Sequence, residues 1–137
     1  MRVLALDIGD VRTGIAASDE SGTVASPVRV LPTQEVVDNS RTWRMVLEDY
    51  EPGLLVCGLP LTMAGEEGPQ AQHIKEIASK IALTCGVPLE FTDERLSSSE
   101  AKRILRDQGM NEKRMRGKVD MVAASLFLQT WLDARTN

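Results

Sequence analysis

The sequence predicts an α/β fold: a mixed five-stranded sheet with helices on both faces. Three observations carry that expectation. The N-terminal part holds three short apolar runs joined by tight turns. The later chain alternates strand-length apolar runs with segments of helical period. The fourth run, "LLVCGLPL", is apolar throughout, as suits a central parallel strand covered on both sides. The first three strands should form an antiparallel meander. The first, fourth and fifth should pair in parallel through right-handed crossovers.

Each element has its own local reason. "RVLALDIG" reads as a buried strand bounded by Gly9, and "GIAASD" as a second. "ESG" is a turn, and "TVASPVRVL" a third strand that Pro27 assigns to a sheet edge. Val36, Ser40, Trp43, Leu47 and Tyr50 recur at spacings of three and four, which predicts one helix ended by Pro52-Gly53. After the fourth strand, "TMAGEEG" is a loop. The next helix runs from Pro69 to Cys85, with Ile74, Ile77, Ala78 and Ile81 inward and Gly86 as its C-terminal cap. "VPLEF" is the fifth strand. Ser97 and Glu100 have capping-box spacing ahead of a short helix that stops at Gly109. "MNEKRMRG" reads as a mobile loop. A last helix, from near Lys118 to about Ala134, should bury Val119, Val122, Ala123, Leu126 and Phe127.

The 137 residues suit a single domain, residues 1–137. No apolar run approaches the roughly 18 residues of a membrane helix. Asp7 interrupts the N-terminal run before any signal-peptide core, so a cytoplasmic protein is expected. Cys57 and Cys85 lack metal-type spacing and read as reduced, buried thiols. His73 stands alone, which argues against a zinc centre or a Ser-His-Asp site. The net charge of −4 is segregated. Residues 1–94 hold 7 Lys and Arg against 15 Asp and Glu, a balance of −8. Residues 95–118 carry +5, and the tail −1. Such a basic block is either a nucleic-acid footprint or a solvated helix face.

Three acidic positions could carry chemistry. Asp7 shares a strand face with Val3 and Ala5, although aspartate disfavours both a strand interior and burial. Asp93-Glu94-Arg95 follows the fifth strand. Asp120 falls in the first turn of the last helix, where the dipole favours a carboxylate. In open α/β sheets, sites form beyond the carboxyl ends of parallel strands. Asp7 and the "DER" triplet both lie near such an end, one strand apart. Clustered carboxylates repel one another unless a cation sits between them. Oxygen donors without His or Cys point to Mg²⁺ or Mn²⁺, and such a cluster can attack a phosphodiester. Apart, the same residues have ordinary uses: Asp7 bonding to a turn, Asp93 and Glu94 on the surface, Asp120 capping a helix. "DIGDVRTG" is also similar to the phosphate loop of actin and sugar-kinase ATPases. Those need a second loop and a much longer chain.

Four blocks, "LALDIGDVRTGIA", "GLPLTMAGEEGPQA", "DERLSSSEA" and "KVDMVAASLFLQTWL", resemble in order and spacing the signature blocks of the YqgF family. This bacterial family is also called RuvX, or Holliday junction resolvase-like. The resemblance spans most of the chain. It implies a ribonuclease H-like fold and a metal-dependent endonuclease using Mg²⁺ or Mn²⁺ to process the 5′ end of the 16S rRNA precursor. The alternatives are a resolvase cutting branched DNA, or a non-catalytic RNA-binding assembly factor. By position, the resemblance implies that Asp7, Glu94 and Asp120 are catalytic and hold the metal. Asp93 is the other member of the acidic pair, with Glu94 favoured as the ligand. Arg12 and Arg95 are the basic residues of their blocks. They join Lys113, Arg114, Arg116 and Lys118 as expected substrate contacts. Ser97-Ser98 stand where threonines are usual, and Met121 follows the last aspartate; neither departure touches a ligand. The implied partner is nucleic acid, precursor rRNA or branched DNA, bound by a monomer or homodimer.

Overall fold

A computed structural model describes residues 1–95 and 97–136. Its five strands are β1 (Val3–Ile8), β2 (Arg12–Ser18), β3 (Ala25–Pro32), β4 (Leu54–Leu59) and β5 (Leu89–Asp93). Its helices are α1 (Thr33–Val37), α2 (Arg41–Tyr50), α3 (Pro69–Cys85), α4 (Ser97–Asp107), α5 (Glu112–Arg116) and α6 (Val119–Thr136). The sheet order is β3-β2-β1-β4-β5. β1, β2 and β3 are antiparallel neighbours, whereas β1 pairs with β4, and β4 with β5, in parallel. This is the predicted mixed sheet, with Pro27 on its edge strand.

Tight turns fix the meander. Gly9 N–H donates to the Arg12 carbonyl at 2.8 Å, closing the β1–β2 connection. Thr33 holds that turn from beneath: its hydroxyl donates to the Gly9 carbonyl (2.7 Å) and its N–H to the Val11 carbonyl (2.9 Å). The β2–β3 turn is built on Asp19. Its carboxylate accepts from Thr23 N–H, Val24 N–H and the Ser21 hydroxyl.

Because strand side chains alternate, β1 serves two layers. Leu4, Leu6 and Ile8 face α1, α2 and α3, where Trp43, Ile74, Ala78 and Ile81 pack. Val3 and Ala5 face α6, against Ala124, Phe127, Leu128, Trp131 and Leu132. α4 packs on the outside of α6. Among the described residues, no helix is long and apolar enough to cross a membrane.

Five expectations change. The helix expected across Val36–Tyr50 is two helices. Asn39 adopts a left-handed backbone (φ 55°), and Ser40 caps α2 by accepting from Trp43 N–H. The "MNEKRMRG" segment is not a loop throughout. Asn111 accepts from Arg114 N–H and starts the short helix α5. Ser97 is the first helical residue of α4 rather than its cap, and the Glu100 carboxylate is taken by Arg103. On α6 the buried stripe runs through Ala123, Ala124, Phe127, Leu128, Trp131 and Leu132, while Val119, Val122 and Leu126 are half-buried. Both cysteines are free; Cys57 is buried and Cys85 half-buried.

Candidate active site

Beyond the carboxyl ends of β1, β4 and β5 lies a cleft of about 380 Å³. Asp7, Glu94, Asp120, Arg95, Gln70, Ser98 and Ser99 supply its polar lining, with Ile8, Gly9, Pro60 and Leu61. Three separate elements deliver its acids. Asp7 comes from β1, on the face turned to α6. Glu94 follows β5, where its N–H donates to the Leu59 carbonyl at the end of β4 (3.2 Å). Asp120 is the second residue of α6.

Glycines make this convergence possible. Asp7 is paired across the sheet with Gly14 of β2. A Cβ on Gly14 would overlap the backbone of Asp120 and Met121, so the missing side chain lets the start of α6 lie directly on the sheet. On the other side of β1, Gly58 follows Cys57, the partner of Leu6. A Cβ there would come within 2.8 Å of both Glu94 Cβ and Phe127 Cε2. Asp7 thus stands between two strands that present no side chain beside it.

The carboxyls perturb one another. Asp7 is only 8% exposed. Burial, then the charge of Glu94, a hydrogen bond with Glu94 and the charge of Asp120 push its pKa up to about 9. Burial also raises Glu94, with Asp120 and Asp93 adding repulsion, while the hydrogen bond from Asp7 opposes the rise. The two carboxyls thus favour sharing a proton over both being charged. Asp120 is raised by burial and held back by the Arg12 guanidinium, whose Nε lies 3.5 Å from Oδ2.

Asp93 does not line the cleft. Its carboxylate accepts from Arg95 N–H (2.8 Å) and Nε–H (2.9 Å), with Nη2 at 2.8 Å, and this holds it below the usual carboxylate range. Arg95 Nη1 also reaches the Thr62 and Met63 carbonyls, each at 3.4 Å, and so ties the β4–α3 loop to the end of β5. Lys113, Arg114 and Arg116 are exposed on α5, and Lys118 is half-buried beyond it; none lines the acidic cleft. Gln70 and Ser99 were not singled out from the sequence, and Ser98 only as a departure from the family's threonines. Their signal was position alone: Gln70 opens α3 in the second block, and the serines follow "DER".

The donor set is oxygen-only and shares a proton in place of a cation, which suits a hard divalent ion. Among the described residues, however, no three His, Cys, Asp or Glu side chains converge closely enough to hold a metal ion as they stand. Asp7 is bonded to Glu94, and Asp120 leans toward Arg12.

A five-stranded sheet of this order, with helices on both faces, defines the class by its architecture: a ribonuclease H-like fold. The Thermus thermophilus RuvC structure aligns over 99% of this chain and 96% of its own, with a TM-score of 0.55 at 14% identity. The fowlpox virus resolvase bound to Holliday junction DNA aligns over all of both chains, with a TM-score of 0.57 at 13% identity. At the sequence level, the model of the family described as "RuvX: Holliday junction resolvase" matches residues 1–134. A protein of Anaeromyxobacter sp. (strain Fw109-5), provisionally named pre-16S rRNA nuclease, is 41% identical over 98% of each chain. One from Acaryochloris marina (strain MBIC 11017), with the same provisional name, is 39% identical over 96% of this chain and 92% of its own. The chain belongs to the RuvX family, a family of nucleases, and so of hydrolases acting on phosphodiester bonds.

Proposed function

We propose that the chain works as a single-domain cytoplasmic endonuclease that hydrolyses phosphodiester bonds in the 16S rRNA precursor. The names of its relatives support the substrate. The observation that carries the chemistry is the buried Asp7–Glu94 pair, kept at the open end of the sheet against desolvation and repulsion. A purely structural position would be served better by apolar residues of similar size.

Asp7, Glu94 and Asp120 would hold Mg²⁺ or Mn²⁺ in place of the shared proton. When bound, the ion supplies positive charge that activates a water and offsets charge on the leaving oxygen. The chain's own groups bind and orient. Arg12, beside Asp120, and Arg95, in the cleft lining, offer guanidinium N–H groups to phosphates. Gln70, Ser98 and Ser99 offer neutral hydrogen bonds along the cleft. Lys113, Arg114, Arg116 and Lys118 extend the cationic surface.

The test is cleavage of precursor rRNA by wild type and Asp7→Asn, with Mn²⁺ and with chelator. Wild type should cut only with the metal. Asp7→Asn should lose at least about a hundredfold in rate with an unchanged circular dichroism spectrum. Full activity in the variant overturns the proposal. The family description favours one second reading, cleavage of DNA four-way junctions. That reading requires a dimer making paired symmetric cuts, so a monomer that leaves junctions intact removes it.

A further inference from the structure

A second cleft, of about 210 Å³, lies between α4 and α5 and is lined by Lys102, Arg106, Glu112, Met115, Arg116 and Val119. Its rim holds three cations against one carboxylate. All three cations are exposed, and none is ion-paired with another described residue. The contrast on the same helix is sharp: Arg103 is occupied by both Glu100 and Asp107. Its floor is apolar, formed by the buried Met115 and the half-buried Val119. Cations around an apolar floor suit a ligand that is anionic at one end and flat and apolar at the other.

Two features connect this slot to the acidic cleft. Val119 lines the slot, and the next residue, Asp120, lines the cleft. On α4, Ser98 lines the cleft and Lys102 and Arg106 line the slot. These three recur every fourth residue and so share one helix face. That face runs about 12 Å from Ser98 to Arg106, the span of a couple of nucleotides.

We propose that the α4–α5 slot takes one unpaired nucleotide of the RNA strand that passes through the acidic cleft. Its phosphate sits against Lys102, Arg106 and Arg116. Its base lies on Val119 and Met115, whose thioether favours contact with an aromatic ring. The enzyme would then select RNA that is single-stranded on one side of the cut. A paired nucleotide, with its base locked in a helix, cannot enter. This inference rests on the RNA nuclease reading for its substrate and adds the strandedness.

The test is fluorescence anisotropy in chelator, where nothing is cleaved. The probes are a labelled 12-nucleotide single-stranded RNA, the same RNA paired to its complement, and an abasic ribose-phosphate strand of equal length. Wild type should bind the single strand at least tenfold more tightly than either other probe. The double variant Lys102→Ala/Arg106→Ala should lose at least tenfold for the single strand. Its log-affinity against log-salt slope should fall by about 1 to 2. Arg103→Ala, which removes an already paired cation from the same helix, should lose less than threefold. Unchanged binding by the double variant overturns the proposal. So does an equal loss in Arg103→Ala, or equal wild-type affinity for the duplex or the abasic strand. The two readings fail separately. Persistent cleavage by Asp7→Asn removes the nuclease assignment but leaves the binding data standing. Cleavage that depends on Asp7, together with normal binding by the double variant, removes the slot alone.

Discussion

Gly14 and Gly58 leave Asp7 without side-chain neighbours on the adjacent strands, so the groups that press on its carboxyl are Glu94 and Asp120. The consequence for stability has a definite sign. Asp7 is raised to about 9 in the folded chain from 3.8, so the folded state favours the protonated carboxyl. That contribution is complete below about pH 4 and is lost as the pH climbs toward 9. The metal-free protein should therefore become less stable across this window. Asp7→Asn, which carries no charge, should be more stable than wild type by roughly 1–3 kcal/mol at pH 8, and the gap should close toward pH 4. Thermal melts in chelator at several pH values measure this; a variant no more stable at pH 8 contradicts it. An aspartate within an apolar strand was visible in the sequence. Its two flanking glycines were visible only as letters, because sheet register, not sequence spacing, sets them beside it.

At the scale of elements, the site depends on how α6 lies on the sheet. Its far end is well secured. Arg135 stacks on Trp131, 3.6 Å from the ring centroid, and pairs with Glu90 of β5 at 2.7 Å. Gln129 accepts from Ala25 N–H and donates to the Thr23 carbonyl, joining α6 to the start of β3. Its N-terminal end is set by bare contact with Gly14. Gly14→Ala should therefore lift the first turn of α6 and carry Asp120 away from Asp7. We expect a stability loss of about 1–3 kcal/mol and a loss of cleavage of at least tenfold under conditions where the variant stays folded. Denaturation curves and cleavage rates on one preparation separate the two effects. By contrast, Leu128→Ala removes a fully buried side chain from the middle of the helix. It should cost about 2–5 kcal/mol and leave cleavage by the folded fraction nearly intact. Element boundaries were read well where one strong local signal stood. Pro69 and Gly86 bracket α3 as expected. They were read poorly where the signal was a backbone angle: the left-handed Asn39 divides α1 from α2 without disturbing the apolar spacing around it.

Across the whole molecule, the fold class was legible because period and run length change where the architecture changes. The acids could be nominated because few carboxylates sit beside strand ends. The sorting of the cations was legible only through helix spacing. Arg103 has Glu100 three residues before it and Asp107 four after it, and it pairs with both, whereas Lys102 and Arg106 have no acid at those spacings. The charge segregation carries its own expectation. RNA affinity should fall steeply with salt although the protein is acidic overall, because the positive block is local. A salt-insensitive affinity would contradict that.

The cleft draws its acids from residues 7, 94 and 120, and α6 is both the last helix described and the cover for Val3, Ala5, Ala16, Leu54 and Val56. During synthesis, therefore, the first 118 residues hold an unfinished acidic cleft and a sticky back. Two of the three carboxyls are present, and one apolar side of the sheet lies bare. The same docking event that hides that surface from aggregation also completes the acidic set. A growing chain would complete its acidic cleft in the same step that covers its apolar side.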